Sequence, residues 1–163
     1  MNEKKYVILL LEDDLGTLKN IGDFLERNGY EVIRCCRIDQ ANERFQGDKK
    51  QNSSADQIDC IVTDLNMNDE WLGEYKDEST DMTLSGWVWL YRFVYPIRPE
   101  MPTVIYSKFV DELHERIGDT TDPQEREVFE RNNIKCLSKG NTLGTGRIGL
   151  LDKIKEALPA TKE

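Results

Sequence analysis

Five short, largely apolar runs recur along the chain, each stopping on polar residues: Tyr6–Leu11, Glu31–Cys35, Ile58–Thr63, Pro102–Ser107 and Ile134–Ser138. The first, Tyr6-Val7-Ile8-Leu9-Leu10-Leu11, has no charged position, the pattern of a strand covered on both faces as in a parallel sheet. Between these runs the apolar spacing changes to that of helices. Leu18, Ile21 and Leu25 predict a helix over about 15–28, capped by Asp14 and ended at Asn28-Gly29. Ile38, Ala41 and Phe45 predict a second, followed by a polar loop over Gly47–Gln57. Gly86–Tyr95 reads as an aromatic-rich third helix stopped by Pro96 and Pro99. Asp122-Pro123-Gln124-Glu125 combines a cap, a first-turn proline and an acid at the third helical position, and Ile148–Leu158 reads as the last helix. Strands alternating with helices predict an α/β fold, a doubly wound five-stranded parallel sheet with helices on both faces.

Composition narrows the partners. At 163 residues the chain is read as a single domain, 1–163, large enough to bury a real core. Its net charge of −9 argues against a nucleic-acid phosphate backbone or an anionic membrane and favours basic proteins or metal ions. No apolar run reaches the roughly 18–20 residues of a membrane span, and the six apolar residues after Lys5 are too few for a signal peptide, so a cytoplasmic location is expected. The cysteines, Cys35, Cys36, Cys60 and Cys136, lack CxxC spacing and are read as reduced packing residues. Asn52-Ser53-Ser54 has the form of a glycosylation sequon, which in a cytosolic chain only marks an exposed loop.

The chemistry lies where the strands end. Glu12-Asp13-Asp14 follow the first strand, Asp64 the third, Ser107 the fourth and Lys139 the fifth, and the carboxyl ends of strands are where open α/β sheets place their ligand sites. A phosphate-binding first loop would offer glycines and free N–H groups, because bare carboxylates repel an anion unless a metal stands between them. Clustered carboxylates suit a hard divalent cation that neutralises an incoming phosphoryl group, while a hydroxyl and an ammonium bind its oxygens. That describes a phosphoryl-transfer site with Asp64 as nucleophile.

Leu10-Leu11-Glu12-Asp13-Asp14, Val62-Thr63-Asp64-Leu65-Asn66-Met67, Gly86-Trp87, Thr103-Val104-Ile105-Tyr106-Ser107 and Leu137-Ser138-Lys139 occur in that order, each at a predicted strand end or helix start. In these pieces the chain resembles the receiver domain of two-component response regulators, over nearly its whole length and with two insertions. The resemblance implies the flavodoxin-like strand order 2-1-3-4-5. It implies that Asp64 accepts phosphate from a histidine kinase, a phosphotransfer protein or a small phosphodonor, and that Glu12, Asp13, Asp64 and the backbone carbonyl of Asn66 hold Mg2+. Ser107 and Lys139 would bind the phosphoryl oxygens, with Ser107 as the activation switch; Asp14 is read as a helix cap. The output would be protein–protein interaction with a partner the sequence does not name, and the only chemistry would be the chain's own phosphorylation and dephosphorylation. The alternative is a receiver-like interaction module that works without phosphorylation. A magnesium-dependent phosphatase is disfavoured because Asn66 stands where that chemistry needs a second aspartate.

The chain departs from the receiver pattern at several places. Lys108, followed by Phe109, stands directly after the switch hydroxyl where a small residue is usual, which narrows access. Gly140 follows Lys139 where proline across a cis bond is usual, so a trans bond is expected. Cys136 occupies the place of the usual fifth-strand aromatic. Residues 68–85 form an eighteen-residue insertion in which Asp69, Glu70, Glu74, Asp77, Glu78 and Asp81 face Lys76 alone, net −5. It is read either as a screen or docking surface beside Asp64, or as a segment that Trp71, Leu72 and Tyr75 pack onto its own domain. The region 111–133 is an expanded fourth-helix region, with two short helices expected around Gly118–Pro123 and His114 as an exposed helix residue. Gly144-Thr145-Gly146-Arg147-Ile148-Gly149 spells GxGxxG but has no following strand, and is read as a flexible loop entering the last helix.

Overall fold

The structure, a computed structural model, describes residues 4–50, 58–131, 133–140 and 145–159. The sequon at Asn52 and the opening Gly144 of the glycine motif lie outside these. Five parallel strands, β1 (Val7–Leu11), β2 (Glu31–Cys35), β3 (Ile58–Thr63), β4 (Thr103–Ser107) and β5 (Ile134–Ser138), form one sheet in the order β2-β1-β3-β4-β5. The helices are α1 (Leu15–Arg27), α2 (Ile38–Lys50), α3 (Ser85–Trp89), α4 (Val110–Asp119), α5 (Pro123–Phe129) and α6 (Thr145–Ala157). α3 runs on as a wider π-type turn through Leu90–Val94.

Alternation along the strands divides the core in two. Leu9, Leu11, Ile61 and Ile105 face one cluster, closed by α2, α3 and the region around α4 and α5, with Trp87 and Trp89 fully buried in it. Ile8, Leu10, Cys60, Val62 and Val104 face the other, closed by α1 and α6 through Leu18, Ile21, Leu25, Leu150 and Ile154. Every residue of β1 is buried, so its run of aliphatics has apolar neighbours on both sides; each such side chain contributes about 1.5–3 kcal/mol.

Two helix boundaries differ from the sequence pattern. α2 continues through Gly47 to Lys50, where a loop was expected; the rest of that expected loop, residues 51–57, lies outside the described residues. A helical glycine costs only about 1 kcal/mol, which the buried Ile38, Ala41 and Phe45 outweigh. α6 starts at Thr145, three residues before the expected Ile148, so Gly146 lies in its first turn rather than in a loop.

The 68–85 insertion packs on its own domain. Glu70–Ser79 is a 3-10 segment interrupted at Gly73, which adopts φ 58°. Trp71 and Tyr75 set their rings 4.8 and 5.7 Å from that of Phe93, and Leu72 is buried. The Ser79 hydroxyl donates to buried Asp69 at 2.5 Å. Thr80, Asp81 and Met82 then follow one another in the left-handed region, φ 53°, 52° and 73°, which costs about 1–2 kcal/mol per residue. The Ser79 carbonyl accepts from Leu84 N–H at 2.8 Å and closes that turn.

Candidate functional site

Three of the candidate residues are each placed by a backbone hydrogen bond that carries the sheet a step beyond its strand. Glu12 N–H donates to the Cys35 carbonyl, Asp64 N–H to that of Leu11 and Lys139 N–H to that of Ser107, all at 3.0 Å. Asp14 caps α1, its Oδ1 accepting from Thr17 N–H at 2.7 Å, and its own N–H donates to Glu12 Oε1 at 3.1 Å. The turn after Asp64 is held by Asp64 Oδ1, which accepts from Leu65 N–H at 2.6 Å. It is also held by Gly86, whose N–H donates to the Leu65 carbonyl at 2.9 Å. A Cβ on Gly86 would lie 2.1 Å from the Asp64 carbonyl oxygen, so only glycine allows the helix to start there.

These constraints bring the candidates together around a cleft of about 260 Å³ lined by Glu12, Asp13, Asp14, Thr17, Asp64, Asn66, Lys108, Phe109 and Lys139. Lys139 Nζ donates to Glu12 Oε2 at 2.6 Å and to Asp64 Oδ2 at 2.8 Å. Ser107 is fully buried behind the cleft, its Oγ accepting from Phe109 N–H at 3.1 Å. Lys108 and Phe109 line the cleft as their position after Ser107 implied, and the Lys139–Gly140 bond is trans. None of residues 68–85 lines it; of the readings of the insertion, a screen beside Asp64 is not seen, and packing on its own domain is, the aromatic anchors holding it against Phe93. Thr17, one turn into α1, was not singled out from the sequence; a polar residue following the cap is its only signal.

The electrostatics follow from burial against one ammonium. Burial pushes the Glu12 carboxyl up to about 7, in spite of its hydrogen bond from Lys139. Burial acts in the same direction on Asp64, but the charge and hydrogen bond of Lys139 outweigh it, helped by Ser107 and Leu65 N–H, and its carboxyl stays below the usual range. Lys139 loses hydration, yet the two carboxylates hold it above its ordinary value. At neutral pH the site therefore holds an ionised Asp64 beside a charged Lys139. Glu12, Asp13 and Asp64 each present a carboxylate oxygen within 4.8 Å of the others, an all-oxygen set of the kind that suits a hard divalent cation.

No protein-family model and no curated protein sequence matches this chain. Solved structures do. A response regulator receiver domain protein from Clostridium thermocellum aligns at 21% identity and TM-score 0.58, covering 91% of this chain and 94% of its own. A CheY-like receiver domain protein from Methanospirillum hungatei aligns at 16% identity and TM-score 0.56, over 94% and 93%. A receiver protein from Sinorhizobium medicae aligns at 19% and 0.55, over 94% of each chain. The fold is that of a response-regulator receiver domain. Within that fold the cleft lies at the carboxyl ends of the central strands β1 and β3, at the point where the strand order reverses.

The other sequence candidates fall away from the cleft. His114 is exposed on α4, its ring edge-on to Phe129 at 5.5 Å. All four cysteines are free, Cys35 and Cys60 buried, and burial raises the thiols of Cys35 and Cys136 to about 12 and 11, where they are inert. No helix is long and apolar enough to cross a membrane among the described residues.

Proposed function

We propose that this chain is a phosphorylation-dependent signalling switch in which Asp64 accepts a phosphoryl group from a histidine kinase, a phosphotransfer protein or a small phosphodonor. The observation that carries the reading is the Asp64 carboxylate, held by Lys139 at 2.8 Å, in an open cleft at a strand end. An Asp64 oxygen attacks phosphorus as the bond from phosphorus to the donor breaks, and the donor leaves with the electron pair. Lys139 and Ser107 bind the phosphoryl oxygens. Mg2+ fits the carboxylates of Glu12, Asp13 and Asp64, with the backbone carbonyl of Asn66 as a further ligand, and supplies positive charge where the phosphoryl oxygens arrive.

The chain's own chemistry is limited to gaining and losing that group, and its output is a change in affinity for a partner protein. We place it in the cytoplasm, in keeping with four unpaired thiols. The test is incubation with magnesium and acetyl phosphate followed by intact-mass measurement, with Asp64→Asn as control. One added phosphoryl group, base-labile and absent from the variant, supports the reading. No adduct would favour an interaction module that works without phosphorylation.

A further inference from the structure

We propose that Tyr106 is the positioning residue for Lys139, its ring holding the ammonium in place with the first turn of α6 packed behind it. The inference rests on the phosphoryl-acceptor reading and adds to it a residue outside the acid, hydroxyl and lysine set. β4 alternates, so Ile105 faces the cluster under α3 while Tyr106 packs on the opposite face with Leu137. Lys139 Nζ lies over the Tyr106 ring, 5.4 Å from its centroid. A Cβ on Gly146 would lie 2.9 Å from Tyr106 Oη, so the first turn of α6 closes directly onto the hydroxyl.

The lysine needs such a restraint. Its two carboxylate partners draw it into the cleft, at 2.6 Å to Glu12 and 2.8 Å to Asp64, but charge attraction leaves a four-carbon stem free to approach from many directions. The following residue is Gly140, in a trans bond, which adds little stiffness to the backbone. An aromatic face attracts the cation along its normal and fills the space into which the stem would swing. With α6 behind it, the ring has little room to retreat.

The inference predicts how three variants bind beryllofluoride in the presence of magnesium, measured by calorimetry with the thermal midpoint recorded alongside. Tyr106→Leu keeps apolar volume but removes the ring, and its affinity falls about three- to tenfold, the range of a cation–π contact. Tyr106→Phe keeps the ring and binds within about twofold of wild type by the same argument. Gly146→Ala pushes on the hydroxyl and weakens binding between these limits. The ε-methylene protons of Lys139 carry an upfield ring-current shift in the wild type and in Tyr106→Phe, lost in Tyr106→Leu. Tyr106→Leu binding as tightly as wild type, or a Lys139 shift unchanged in that variant, overturns the inference. Failure of the wild-type protein to bind beryllofluoride removes the receiver reading instead, and the Lys139 proton shift then decides alone whether Tyr106 holds the lysine.

Discussion

The carboxylates of Glu12, Asp13 and Asp64 come within 4.8 Å of one another around an ammonium, whereas those of the 68–85 insertion spread over a surface that none of them shares with the cleft. In the first region three strand ends, each fixed by a 3.0 Å backbone hydrogen bond, aim acids and a lysine at one point. In the second, Glu70, Glu74, Asp77 and Asp81 are exposed, Asp69 is buried against Ser79, and Glu78 pairs with Arg92 at 2.9 Å. The insertion has more acids but no convergence, and its position is set by Trp71 and Tyr75 on Phe93. Count of charge says little about chemistry here; the elements that aim the charge say most.

The two regions meet at the junction of Asp64 with α3, and the largest effect is expected there. Gly86→Ala places a methyl 2.1 Å from the Asp64 carbonyl oxygen, and the backbone must move. A loss of about 3 kcal/mol in urea unfolding is predicted. An unchanged midpoint would mean that the insertion and the cleft are not coupled through this turn. Lys139→Met comes next. It leaves the buried Glu12 and half-buried Asp64 carboxylates without their ammonium, and a cost of about 2 kcal/mol at pH 7, partly recovered on adding magnesium, is expected.

The pH dependence of magnesium affinity separates the regions further. Because burial lifts the Glu12 carboxyl to about 7, below that pH the folded protein holds a proton that the metal must displace. Affinity should rise with pH, by up to about tenfold per unit, and level off above pH 7. A flat profile in calorimetric titrations would place the ion elsewhere. Trp71→Ala should loosen the insertion and cost about 1 kcal/mol while leaving the yield of adduct at Asp64 unchanged, because the anchor is remote from the cleft. A fall in adduct yield would show that the two regions communicate. Smallest of all, Lys76→Met removes an exposed pair with Glu70 and should leave the urea midpoint where it was.

The cleft was legible in the sequence for the same reason that it is ordered. A five-residue apolar run such as Val7–Leu11, bounded by a polar turn, is too short for a buried helix and reads as a strand covered on both faces, so the residues after it emerge at the strand end. Asp14 and Asp122 announced their helices by capping them, and both accept the expected backbone N–H bonds. The insertion was not legible to the same degree. Its 3-10 segment has no apolar stripe, and the partner ring, Phe93, lies more than a dozen residues further on. The early start of α6 was hidden in a glycine motif: Gly146 allows close approach to Tyr106, a contact between β4 and α6 that no local pattern encodes. The role of Tyr106 over Lys139 was hidden too, since it depends on the pairing of β4 with β5.

The most direct test of the account locates the phosphoryl group. After incubation with magnesium and acetyl phosphate, borohydride reduction converts an aspartyl phosphate to homoserine, and peptide mass spectrometry finds its position. The account predicts homoserine at position 64, with aspartate retained at position 13 and throughout the insertion. Homoserine at Asp77 or Asp81, or none anywhere in a protein that binds magnesium, would contradict it.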